Sequence, residues 1–320
     1  MRYIVFLFTI FLLLPGDIFA KQVQKKEIAY IVSDIRIPFW NIMSRGIISK
    51  AKQLGYTVHI YSADNSRKKE LQNTVEAIKK KVDGILLSPI SSSSAVTILK
   101  LASQADIPVV ISDIGTDAGE YVSYISSDNF KGAYKLGKIL VKKMYALNWQ
   151  DGGVGIIAIP QQRDNGKERT AGFIKALEEA HIKSSGLRQQ VDFSYKETYD
   201  FTLELIKQNP NLRALWLQGS DRYQAALDAI AAAEKKEKIL LICFDAEPEF
   251  LELIPKGILV GAAMQQPFLM GEEALQTIDR YLNDKGVKRN IILPILDISA
   301  ENIKQNLLII KRNVLGQSKK

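Results

Sequence analysis

Short apolar runs alternate with longer amphipathic stretches along this chain, and the series runs twice. Ile28 to Val32, Thr57 to Tyr61, Gly84 to Ser88 and Pro108 to Ser112 read as strands. Between them, Pro38 to Leu54, Lys68 to Lys81 and Ser91 to Ala105 carry apolar residues at helical spacing, as with Leu71, Val75 and Ile78. Strands separated by helices must lie parallel, with helices covering both faces of the sheet. The pattern restarts with a helix over Asp128 to Ala146. It continues through strands at Val154 to Ile159, Leu187 to Phe193, Leu212 to Leu217, Ile239 to Phe244 and Leu259 to Met264, with a last strand near Ile291 to Ile298. Helices are expected over Gly166 to Ala180, Thr198 to Gln208, Tyr223 to Glu234 and Phe268 to Leu282. The expectation is an α/β chain of two similar lobes with no long linker between them.

In open parallel sheets, ligands lie beyond the carboxyl ends of the strands. That rule selects Asp34, Arg36, Phe39 and Trp40 after the first strand, Ser88 after the third and Asp113 after the fourth. In the second half it selects the loop Gln161 to Arg169, then Phe193, Gln218 to Asp221, Asp245 and Gln265. The runs Ile107 to Asp113 and Ile239 to Asp245 echo each other, each an apolar strand closed by an Asp. Aromatic faces, carboxylates, an Arg and amides together suit a small polar ligand. Structural roles stay open for each residue: a hydrophobic cap for Phe39 and Trp40, helix caps for the two Asp residues, a surface position for Arg169 and a core position for Phe193.

Composition narrows the chemistry. One Cys and two His residues in 320 leave no disulfide framework and no cysteine- or histidine-rich metal centre, and no metal or cofactor is expected. Cys243 lies inside an apolar run and reads as a core residue. No phosphate loop, dinucleotide fingerprint or nucleophile elbow is present, so no catalytic residues are assigned. The net charge of +8 is spread along the chain, which reads as a solvated basic surface and not as a nucleic-acid site. Residues 1–20 have a charged start, a short apolar stretch and Ala20 at the end, the pattern of a secretory signal peptide.

With these residues in place, the chain resembles the ribose-binding relatives among type I periplasmic substrate-binding proteins, from about Lys26 to about Ile309. The resemblance is carried by Pro38-Phe39-Trp40, Leu54-Gly55-Tyr56, Asp83 to Pro89, Ile107 to Val110, Ser127-Asp128-Asn129, Arg169 to Phe173, Phe244-Asp245 and Gln265. It implies two Rossmann-like lobes joined by three crossings that close as a hinged clamp. Lobe 1 is then 27–128 plus 267–290, lobe 2 is 129–266 plus 291–312, and 313–320 is a tail. The resemblance further implies a periplasmic, non-enzymatic receptor, expected as a monomer. Phe39 and Trp40 would sandwich the ligand, Asp113 and Asp245 accept from it, Arg169 and Gln265 donate to it, and Phe193 stack on it. Asp34, Arg36, Ser88, Gln218 and Asp221 are further candidates.

Three departures bear on the ligand. Ile37, Ile114 and Gly219 stand where ribose binders carry Asn, Arg and Asn. Unpaired buried groups cost about 1–3 kcal/mol each, so a less hydroxylated or partly apolar ligand is favoured over ribose. Two carboxylates beside aromatics would also suit a cationic or strongly dipolar amine. Delivery to an ABC permease is the leading expectation. The alternative is a sensory subunit that presents ligand occupancy to a membrane histidine kinase or chemoreceptor. A sugar-responsive repressor would begin with a helix-turn-helix headpiece, where this chain has the signal-like segment.

Overall fold

In the computed structural model, which describes residues 25–317, the apolar runs form two six-stranded sheets. The segment read as a signal peptide lies outside the described residues. The first half runs β1 (Glu27–Val32), α1 (Pro38–Leu54), β2 (Thr57–Ser62), α2 (Arg67–Lys80), β3 (Gly84–Ser88), α3 (Ser92–Gln104), β4 (Val109–Ser112) and β5 (Ser123–Ser127). The second continues with α4 (Asn129–Ala146), β6 (Gly153–Ala158), α5 (Asp164–Glu179), β7 (Ser184–Gln189), α6 (Tyr195–Gln208), β8 (Leu212–Leu217), α7 (Tyr223–Ala232), β9 (Leu240–Phe244), α8 (Phe250–Leu253) and β10 (Gly261–Met264). It closes with α9 (Pro267–Leu282), β11 (Asn290–Leu293), β12 (Leu296–Ser299) and α10 (Leu307–Ile309), which runs into a π-helical turn at Ile310–Val314.

The first sheet has the order β11-β5-β4-β3-β1-β2 and the second β12-β10-β9-β8-β6-β7. Among the described pairings all are parallel except β10 with β12. Each sheet has an apolar cluster on both faces, as parallel strands require. Register brings the strand ends level: Val32 lies opposite both Ser62 and Ser88, and Leu217 opposite both Ile157 and Cys243. The residues that follow these positions therefore share one edge in each lobe.

The chain crosses between lobes three times, near Asp128, near Gln266 and near Pro294. Helices α1 and α9 pack beside the first sheet, and α4 and α5 beside the second, at backbone contact distance. A Cβ on Gly271 would fall 2.1 Å from the Met43 carbonyl oxygen, and one on Gly172 would fall 2.1 Å from that of Phe130. Glycine is what lets these helices meet so closely.

Four expectations are corrected. Ser123–Ser127 is a strand that hydropathy did not reveal, because three of its five residues are serine. The single strand expected over Ile291 to Ile298 is two strands in different sheets, divided at Pro294, so residues 291–293 belong with the first sheet and not the second. The strand expected over Leu187 to Phe193 ends at Gln189, which puts Phe193 in the following loop. Residues 313–317 are not a free tail, since Val314 and Leu315 are buried in an apolar cluster with second-sheet residues. Arg45 of α1 also donates to the carbonyls of Leu315 and Gly316.

Candidate functional site

The facing sheet edges enclose a cleft lined from the first lobe by Ile37, Pro38, Phe39, Trp40 and Asp113. From the second lobe, residues of the loops after β6, β7, β8, β9 and β10 line it. All seven principal candidates reach it: Phe39, Trp40, Asp113, Arg169, Phe193, Asp245 and Gln265.

Asp113 and Asp245 occupy equivalent places, each one residue beyond an apolar strand, with φ of 69° and 66°. Asp is among the few non-glycine residues that adopt the left-handed region readily. Neither caps a helix: β5 follows Asp113, and a loop separates Asp245 from α8. Trp40 Nε1 donates to Asp113 Oδ2 at 3.3 Å, and Asn165 Nδ2 donates to Asp113 Oδ1 at 3.3 Å from the opposite lobe. Burial is the main force on this carboxyl and lifts its pKa to about 6, against the pull of Arg169.

Asp245 anchors the second lobe's wall. Gln265 Nε2 donates to its Oδ1 at 2.8 Å, and Arg169 Nη1 stands 3.5 Å from its Oδ2. Burial raises this pKa too, with Arg169 opposing. Arg169 is 3% exposed and held on every side. Its Nε donates to Asn129 Oδ1, its Nη1 donates to the Gln218 carbonyl, and its guanidinium lies 3.8 Å from the Phe244 ring centroid. A guanidinium so fixed presents its charge to the cleft without losing rotamer freedom on binding.

Phe193 has φ of 53°, an uncommon conformation for a bulky residue and a sign of local strain. The start of α6 fixes it. Ser194 caps that helix, and Glu197 reaches back to accept from the amides of Val191, Asp192 and Phe193. Arg222 Nε also donates to the Phe193 carbonyl.

The secondary candidates divide. Gln218 and Asp221 line the cleft, but the side-chain amide of Gln218 is engaged inside the wall by Ile159, Gln161 and Thr170. Asp34, Arg36 and Ser88 are not in the lining. Arg36 forks back onto Asp34 through two bonds of 2.8 and 2.7 Å, with its side chain 70% exposed. Ser88 is covered by α1 and lies against Tyr30 Oη and Met43 Sδ. Of the three departures noted in the sequence, Ile37 and Gly219 line the cleft, whereas Ile114 is a buried core residue.

The sequence rule selected the loop Gln161 to Arg169 only as a whole, and it missed Glu247. Within that loop, Arg163 Nε donates across the cleft to the Ile90 carbonyl at 3.0 Å. The Arg163 guanidinium lies 5.7 Å from the ring centroids of both Trp40 and Phe193. Burial lowers its pKa to about 10. Glu247 accepts from Ser220 Oγ at 2.8 Å, and burial raises its pKa to about 7. Three buried polar atoms in the lining have no hydrogen-bond partner: Asn165 Oδ1, Asp221 Oδ2 and Gln265 Oε1. Buried polar groups are rarely left so, and donors of water or of a solute in the cleft would complete them. Among the described residues, no three His, Cys, Asp or Glu side chains are grouped to hold a metal ion.

The profile of the periplasmic binding protein domain matches residues 28–286. The chain is 28% identical to the ribose import binding protein of Escherichia coli (strain K12) over 279 residues, 86% of this chain and 91% of that one. It is 25% identical to the D-allose-binding periplasmic protein of the same organism, over 78% of this chain and 82% of the relative. Among solved structures, a carbohydrate transporter solute binding protein from Agrobacterium radiobacter, in complex with D-arabinose, superposes with a TM-score of 0.83 at 20% identity. That match covers 91% of this chain and 99% of the other. A solute binding protein from Actinobacillus succinogenes with bound D-allose gives a TM-score of 0.80 at 23% identity, covering 88% and 100%. At these identities the structural likeness speaks for the fold.

Proposed function

The chain belongs to the periplasmic binding protein domain family, and on that premise we propose that it is an exported, non-enzymatic receptor that closes on a small polar solute of sugar-like size and delivers it to an ABC importer. The observation that carries this reading is the set of three buried, partnerless acceptors lining a cleft whose two walls come from different lobes. A solute with hydroxyl or amine donors satisfies them, and its apolar C–H faces pack on Phe39, Trp40 and Phe193. The contacts of Asn165 with Asp113 and of Arg163 with Ile90 cross between the lobes, so closure and ligand capture engage the same residues. Transport as the use of that capture is supported by the ribose relative, an import binding protein, and by the two structural neighbours, which are transporter solute binding proteins.

The test is a thermal-shift panel of sugars, polyols and amino-polyols on the purified protein. A solute that binds only the folded state stabilises it by about 2.7 kcal/mol at a hundredfold excess over Kd. For a chain of this size that amounts to a rise in Tm of roughly 4–5 °C. A panel in which no member raises Tm would overturn the reading.

A further inference from the structure

The buried side-chain atoms of the cleft lining that lack a hydrogen-bond partner are all acceptors. They are Asn165 Oδ1, Asp221 Oδ2 and Gln265 Oε1, and Asn165 and Gln265 are only 3% and 1% exposed. The NH₂ groups of these two amides donate to Asp113 and Asp245, which turns the amide oxygens away from those carboxylates and leaves them without a donor. Asp221 Oδ2 stands 3.2 Å from Arg222 Nη1, but the two are not hydrogen-bonded.

Charge points the same way. The ionisable residues in the lining are four carboxylates, Asp113, Asp221, Asp245 and Glu247, and two guanidinium groups, Arg163 and Arg169. Arg169 is committed to Asp245 and to the Gln218 carbonyl. Arg163 lies over the aromatic rings. Among the described residues, Glu247 has the Ser220 hydroxyl as its side-chain hydrogen bond and no ion pair. The second lobe's wall therefore holds a carboxylate without a cation, next to partnerless acceptors.

We propose that the ligand of this cleft is a sugar- or polyol-like molecule bearing a protonated amine, and that Glu247 and Asp221 receive its ammonium group. The proposal rests on the receptor reading above and names the class of solute. An ammonium carries three donors and no acceptor, whereas a hydroxyl brings an acceptor with every donor it offers. Hydrogen bonds between ionised partners are about twice as strong as neutral ones. Burial disfavours the Glu247 charge, and a cation placed against it offsets part of that penalty.

The experiment is calorimetric titration with matched pairs: D-glucose against D-glucosamine, D-galactose against D-galactosamine, and ribitol against 1-amino-1-deoxyribitol, at pH 7.5. The amino member of at least one pair is expected to bind at least about tenfold more tightly than its hydroxyl partner. Glu247→Gln should lower affinity for the amino member at least tenfold more than for the hydroxyl member. Circular dichroism and Tm of E247Q establish that the variant is folded, and the wild-type ratio alone decides the point if it is not. If in every pair that binds the hydroxyl member binds as tightly as its amino partner, this inference is overturned and the receptor reading stands. Absence of binding by every member, together with a flat thermal-shift panel, overturns both.

Discussion

Asp245→Ala is expected to reduce affinity for the solute at least a hundredfold while the protein stays folded. Asp245 sits where three things meet: the Gln265 amide, the Arg169 guanidinium and the cavity. Hydrogen bonds to a charged group contribute about 1.5–3 kcal/mol each. A carboxylate that accepts two donors from a ligand is thus worth some two to four orders of magnitude in Kd. Truncation also frees Gln265 to turn its NH₂ toward the cavity, which replaces an acceptor with a donor at the wrong place. Removing one partner of a buried ion pair commonly costs about 3–5 kcal/mol of stability. Here Arg169 keeps Asn129, the Gln218 carbonyl and the Phe244 ring, so the loss should stay below that range. Asp245→Asn, which preserves the shape, separates the two effects: it should retain nearly wild-type Tm and still lose affinity more than tenfold. Calorimetry with the best solute from the thermal panel, together with urea unfolding, checks both. Wild-type affinity in D245A would remove Asp245 from the site.

The second large effect is on pH dependence. In the unliganded cleft, burial holds the Asp113 pKa at about 6, with Arg169 and Arg163 opposing and Asp245 adding to the rise. Ligand donors bond to the ionised form and bring that pKa down in the complex, so binding releases a proton whenever the free carboxyl still holds one. Affinity should fall by up to tenfold per pH unit below about 6. Glu247, at about 7, begins its own fall higher on the scale. Asp113→Asn should remove the lower limb of the profile and Glu247→Gln the upper. The unliganded protein shows the opposite trend. Between the unfolded-state value near 4 and the folded value near 6, the native carboxyl holds its proton more tightly than the unfolded one, so the Asp113 contribution makes stability fall as pH rises. Titrations from pH 8 to 4.5 measure the first effect, and an affinity constant across that span would contradict it.

Much of this site was legible because an apolar strand closed by a polar residue points to a sheet edge without any need for coordinates. Asp113 and Asp245 were found in that way, and their shared left-handed backbone explains why the two segments look alike. The same rule overreached at Asp34, Arg36 and Ser88. It gives the position of a residue but not its neighbours: Arg36 is two residues from an Asp it can fork onto, and Ser88 lies under α1. Arg163, Asn165 and Glu247 were not legible as individual residues. Arg163 and Glu247 lie in loops and Asn165 in the first turn of α5, and the roles of Arg163 and Asn165 depend on the opposite lobe, since their partners, Ile90 and Asp113, are more than fifty positions away. A carboxylate two residues past Asp245 was the one available hint for Glu247. Sheet membership after α9 was hidden for a similar reason. Ile291 to Ile298 is one apolar stretch in sequence, and only pairing with β5 on one side of Pro294 and β10 on the other divides it.

Two lobes joined by three crossings are expected to close on a small polar solute. Small-angle X-ray scattering tests that closure most directly. The protein is first stripped of any bound solute by unfolding, dialysis and refolding, and the best solute from the thermal panel is then added at a hundredfold excess over its Kd. The account predicts a smaller radius of gyration with solute than without, and a loss of that compaction in Asp245→Ala. A radius of gyration that stays the same while calorimetry shows the cleft to be filled would contradict closure.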